Sequence, residues 1–173
     1  MTVELAEYLL GLDKYIVQNS DTLNSYTLDI KYPMSSRLIL SAPDDLDQNL
    51  LVDIKESEKK SLKISLHHQD NSTQNGLLRV DYYSRHLNPV DVLDTVPEKF
   101  RPFAGKWLDD YAGHIHYVVD GYKPLAWAIP LVLDEFPIKE LNGREDYANT
   151  LKAFFHKINL KTVIHYKHQM RLL

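Results

Sequence analysis

The chain has 173 residues, of which 44% are hydrophobic and 25% charged, with a net charge of −4 and no cysteine. That length suits one domain with a substantial core, and the composition is that of an ordinary globular protein. Without cysteine, disulfides and thiolate metal sites are excluded, so any bound metal falls to histidine and carboxylate. No apolar run approaches the roughly 20 residues of a membrane span. The start, Met1-Thr2-Val3-Glu4, lacks the basic segment of a secretory signal, and a cytoplasmic protein is expected.

Charge is unevenly spread. Residues 1–60 carry eleven Asp or Glu against six Lys or Arg, whereas residues 150–173 carry five Lys or Arg and no acid. Five charges read as a solvated terminal element rather than a nucleic-acid contact. The modest net charge also argues against a mimic of the duplex, which needs a dense acidic array.

From Val3 to Val17 the apolar residues Val3, Ala6, Leu9, Leu10 and Ile16 recur near helical spacing, with Thr2 as N-cap and Glu4 and Glu7 in the first turns. An amphipathic helix ending near Asn19-Ser20 is predicted. Short alternating runs follow: Tyr26 to Tyr32, Leu38 to Leu40, Leu50 to Ile54, Leu62 to Leu66 and Leu77 to Tyr83. Turn-forming clusters separate them, which suits a meandering antiparallel sheet and leaves no room for crossover helices. Between Leu93 and Tyr111 the pattern breaks. Pro97, Pro102 and Gly105 punctuate Phe100, Phe103 and Trp107, so a loop excursion is expected, with its aromatics docked on the sheet. Gly113 to Val119 reads as a strand, Asp120-Gly121 as a hairpin signal, and Pro124 to Leu131 as the partner strand. A helix from Arg144 to Ile158 and a last strand from Leu160 to Tyr166 complete an α+β fold. The expectation is a single domain over residues 1–173, with one antiparallel β-sheet and a helix near each terminus.

The stretch with most chemistry is Gly113-His114-Ile115-His116-Tyr117. On a strand, residues two apart share a face, so His114 and His116 project side by side about 6.6 Å apart at Cα. Two imidazoles at that spacing close on one metal ion, while Ile115 and Tyr117 anchor the strand in the core. His86, at the end of the Leu77 to Tyr83 run and just before the Asn88-Pro89 turn, is the candidate third ligand. Asp81 is either a fourth ligand or the acceptor that orients a ligand histidine. Zinc is the expected ion. His67 and His68 are adjacent and face opposite ways. His156, His165 and His168 lie in the basic end, where solvation is expected.

In order, Leu77-Leu78-Arg79-Val80-Asp81, His86-x-Asn88-Pro89, His114-x-His116-Tyr117, Trp127-Ala128-x-Pro130-Leu131 and Phe154-Phe155 resemble a family of small uncharacterised proteins from Firmicutes and their phages. The resemblance covers about residues 50–173, with a longer insertion here from Val90 to Ala112. It implies that the histidines belong together. In size and character the chain also resembles type II anti-CRISPR proteins of streptococcal phages, some of which bind metal.

Two roles follow for a metal. A structural ion is closed and four-coordinate, whereas a catalytic ion keeps a water and needs a base and a cation, for which Asp109, Asp110 and Arg79 are the candidates. No motif such as His-Glu-x-x-His is present. The expected function is therefore a zinc-binding inhibitor that blocks Cas9 by protein contact, with a metal-dependent nuclease or hydrolase as the alternative.

Overall fold

The computed structural model of the protein describes residues 1–168. Helix α1, Val3–Gly11, begins where the Thr2 hydroxyl accepts the Leu5 N–H at 3.2 Å, and it buries Ala6 and Leu9. It stops eight residues before the predicted end near Asn19. Tyr15–Gln18 is instead strand β1, and Asn19 and Ser20, both at positive φ, turn the chain into β2, Asp21–Thr22. A two-residue turn with both φ positive matches the twist of an antiparallel pair. Ile16 is buried in the strand as it would have been in a helix, so its apolar character did not discriminate between the two.

Strands β3, Ser25–Ile30, β4, Ser35–Ser41, β5, Leu50–Glu56, β6, Ile64–Asp70, β7, Asn75–Tyr82, β8, Gly113–Tyr117, and β9, Trp127–Pro130, follow. The large sheet has eight strands in the order β2-β1-β4-β5-β6-β7-β8-β9, every pair antiparallel. The expected meander therefore runs from β4 to β9. β3 does not join it. It pairs in parallel with the last described strand, β10, Val163–His168, so the described residues form two sheets rather than one. Period-two alternation says that a segment is a strand but not which strand it meets, and this partner lies at the far end of the sequence. Four of the five basic residues of the terminal segment fall within residues 150–168, and Arg171 lies outside the described residues.

One face of the large sheet presents Leu38, Leu40, Val52, Ile54, Leu66, Leu78, Val80, Tyr82, Ile115, Trp127 and Ile129, all buried. Helix α2, Tyr147–Lys157, lies on this side with Leu151, Phe154 and Phe155 buried. The Tyr147 hydroxyl donates to Glu56 Oε1 at 2.7 Å, and Arg144 pairs with the same carboxylate. Tyr82 is fully buried and donates to the Ile138 carbonyl at 2.7 Å.

The opposite face is polar. Cross-strand register aligns Arg37, Asp53, His67, Arg79 and His116 in one row, and Lys55, Ser65, Asp81 and His114 in the next. After β7 the chain turns at Tyr83, where φ is 51°, and begins the excursion that ends at β8. Its two arms pair with each other: the Leu108 N–H donates to the His86 carbonyl at 2.8 Å, and the Asn88 N–H to the Lys106 carbonyl at 3.1 Å. Phe100 and Phe103 are buried, as expected of docked aromatics, but Trp107 stays 49% exposed under the Arg85 guanidinium. β8 and β9 pair as expected, although the nine residues 118–126 join them rather than a tight hairpin. Among the described residues, no helix is long and apolar enough to cross a membrane.

His68 occupies the apolar face, fully buried, with Nδ1–H donating to the Leu51 carbonyl at 2.9 Å. Burial pushes its pKa down to about 3. The unfolded chain binds a proton there near pH 6.5 and the folded chain only near 3, so folding stability falls as pH drops through that window. The loss is at most about 1.4 kcal/mol per pH unit. In thermal melts, His68→Gln is expected to gain on the wild type steadily from pH 6.5 to 4. A Tm difference independent of pH would contradict this.

Candidate metal centre

Antiparallel register builds the site. Asp81 on β7 stands directly opposite His114 on β8, and Arg79 opposite His116, all four on the polar face. The strands are also packed closely around the site: a Cβ at Gly113 would overlap Leu131 and press on Tyr82 in the core, and one at Gly76 would overlap Leu125 and His67. Both histidines are fully buried and Asp81 nearly so. That is unusual for a polar sheet face, and it comes about because the excursion folds back over it.

Asp81, His114 and His116 form a group that could hold a metal ion, each offering one ligand atom within 4.8 Å of the others. Asp81 Oδ2 lies 3.0 Å from His116 Nε2 and 3.4 Å from His114 Nε2. Ligands held at zinc distance, about 2.0–2.1 Å, in a tetrahedron stand about 3.3 Å apart. The donor set therefore fits an ion. A second observation agrees: His114 Nδ1 is buried without a hydrogen-bond partner, and Nε2 faces only the Asp81 carboxylate, at 3.4 Å. Buried polar atoms without partners are rare in folded proteins, and an ion is one way of satisfying them.

The tautomer of His116 follows from its contacts. Nδ1–H donates to the Leu125 carbonyl at 2.9 Å, which leaves the lone pair on Nε2, the atom facing Asp81. Leu125 holds φ at 59°, a left-handed conformation costly for a branched residue, while its side chain packs over Gly76. Burial pushes the His116 pKa down to about 3, so the ring is neutral, as a metal ligand must be. Burial pushes the Asp81 carboxyl up, but His114, His116 and Arg79 outweigh it and hold the group well below the ordinary carboxylate range. Arg79 touches both: Nε donates to Asp81 Oδ2 at 2.8 Å and Nη2 to His116 Nε2 at 2.9 Å.

His86, the remaining ligand candidate, has its ring against the other two. Centroid separations are 4.4 Å to His116 and 5.8 Å to His114. Its Nε2–H donates to the Ala126 carbonyl at 3.0 Å, and it is not one of the three groups whose ligand atoms converge. Burial pushes its pKa down as well. Two residues on, Asn88 grips the β9 backbone: Nδ2–H donates to the Ala128 carbonyl and Oδ1 accepts the Ala128 N–H, both at 2.9 Å. His86 and Asn88 together pin the excursion to the outermost strand beside the site. Among the other candidates, Asp109 pairs with Arg85 at 3.0 Å, and His156, His165 and His168 are exposed. His67, half-buried, stands beside Arg79 with its Nε2 unpartnered.

A protein-family model described as a family of unknown function (DUF6978) matches residues 1–160. No curated protein and no solved structure matches the chain.

Truncating Asn88 would leave a buried N–H and a buried carbonyl of Ala128 without partners, each at a cost of about 1–3 kcal/mol. Asn88→Ala is accordingly expected to lose roughly 2–5 kcal/mol in urea denaturation. A loss below about 1 kcal/mol would show that the excursion is held some other way.

Proposed function

We propose that this chain, which belongs to DUF6978, a family of unknown function, is a zinc-binding protein whose ion is structural and whose activity is to bind another protein. The observation behind the first part is the buried trio of Asp81, His114 and His116, with His114 Nδ1 unpartnered and its Nε2 facing only Asp81. Two imidazole nitrogens and one carboxylate favour zinc over magnesium or calcium, which prefer oxygen ligands. His114 and His116 lie wholly beneath other residues, as in sites where an ion braces the fold rather than meeting a substrate. His86 is proposed to enclose the ion, as a ligand or as the ring packed on two ligands.

Support for protein binding comes from the segment lying over the site. Leu87, Val90, Val92, Leu93 and Trp107 are all exposed on the excursion, and Leu87 bridges to Trp107 across its two arms. Large apolar residues gathered at a surface, with an aromatic among them, are characteristic of protein interfaces. The ion and the Asn88 contacts would hold that surface rigid, which lowers the ordering cost of binding. The proposed partner is the defence nuclease Cas9, on the strength of the resemblance to anti-CRISPR proteins.

Protein purified without chelator should contain one zinc per chain, and chelation should lower Tm by roughly 5–10 °C, because an ion bound only by the folded state stabilises it by mass action. His114→Ala should abolish both effects. In a DNA cleavage assay, modest excess over Cas9 should inhibit cutting, and Val90→Asp with Trp107→Ala should restore it. Cleavage unaffected by the wild type would remove Cas9 as the partner. Degradation of RNA or DNA by the protein alone, lost on chelation, would point instead to a metal-dependent hydrolase.

A further inference from the structure

Arg79 is bound to two of the three atoms that would hold the ion. Nη2–H donates to His116 Nε2 at 2.9 Å and Nε–H to Asp81 Oδ2 at 2.8 Å. A neutral imidazole has one lone pair in the plane of its ring. Because His116 Nδ1–H is committed to the Leu125 carbonyl, that lone pair is on Nε2, and the guanidinium already occupies it. A metal ion and Arg79 therefore cannot both be bound to His116. The Asp81 carboxylate has room for more than one partner, so the exclusion falls on the histidine.

We infer that Arg79 is an internal cation that stands in for the metal, neutralising Asp81 and capping His116 when the site is empty, and that it must swing out for the ion to enter. The inference rests on the proposal of a metal at Asp81, His114 and His116. The chemistry supports it. A carboxylate buried between two histidines is costly to leave without a positive charge, and a guanidinium supplies one that cannot be lost by deprotonation. The side chain has an exit, being 32% exposed while its partner Asp81 is 6% exposed. Its neighbours outward along the row are His67, Asp53 and Arg37, and the Asp53 carboxylate is already held by both Nε and Nη2 of Arg37. A released guanidinium would thus meet water rather than a waiting carboxylate. Binding an ion moves a positive charge from the buried site to the polar face, so the state of the site is written on the surface as the position of Arg79.

The test uses zinc itself, titrated into the full chain against a chromophoric chelator. Arg79→Met keeps the aliphatic stem and removes the competing cation. It should bind zinc about tenfold or more tightly than the wild type, the equivalent of one charge-assisted hydrogen bond. Its zinc-free Tm should be lower and its zinc-induced rise in Tm larger. Arg79→Lys, which keeps the charge without the two-pronged geometry, should fall between them. The gain must vanish in Arg79→Met combined with His114→Ala. Equal or weaker zinc affinity in Arg79→Met, or a gain that survives the second substitution, would overturn the inference while leaving the metal site standing. If neither the wild type nor Arg79→Met binds zinc, the metal proposal itself fails and this one with it. A second measurement needs no variant: phenylglyoxal should modify Arg79, located by peptide mass mapping, faster with zinc bound than without. An unchanged or slower rate would contradict the swing.

Discussion

A carboxylate and two imidazoles lie buried on what would otherwise be the wet face of an antiparallel sheet, and much of the molecule follows from the need to satisfy them. Removing an ionised carboxylate from water costs several kcal/mol even in a relaxed protein interior. Asp81 meets this cost with Arg79 on one side and the facing nitrogen of His114 on the other, while the His116 nitrogen beside it carries a lone pair held by Arg79. His114 Nδ1 has no such compensation. The arrangement is incomplete for hydrogen bonding, and a divalent cation between the three would take up the nitrogen of His114 that faces Asp81.

The rest of the architecture holds that arrangement in register. The apolar face of β7 and β8, through Val80, Tyr82 and Ile115, fixes the two strands so that the alternate residues cannot slip. A shift of one residue would send the acid and both histidines into the core and expose the apolar set. The excursion after β7 then supplies the roof. It is tied to itself by paired arms, to β9 by Asn88, and to the site by the ring of His86. Its outward side is left with Leu87, Val90 and Trp107 in solvent. Order at the buried site and shape at the exposed surface are consequently properties of one segment.

Much of this was legible in the sequence because period-two alternation is a local property. His114 and His116 on one face, with Ile115 on the other, follow from the strand geometry alone. So does the division of the β7 run into Leu78, Val80 and Tyr82 against Arg79 and Asp81. Three features could not be read. Ile16 fits a helical stripe and a strand equally well, and only the left-handed Asn19-Ser20 turn separates the two. The pairing of β3 with β10 depends on the two ends of the chain meeting in space. Arg79 reads as an ordinary partner for Asp81 until the Leu125 carbonyl fixes the tautomer of His116, and that depends on a left-handed leucine with no composition signal.

The decisive measurement is a crystal of the protein grown with zinc and recorded on both sides of the zinc absorption edge. One anomalous peak should lie between Asp81 Oδ2, His114 Nε2 and His116 Nε2, at about 2.0–2.2 Å from each. Zinc found only on exposed histidines such as His165 or His168, or an empty site with Arg79 still joined to His116, would contradict the metal centre and the functional proposal built on it.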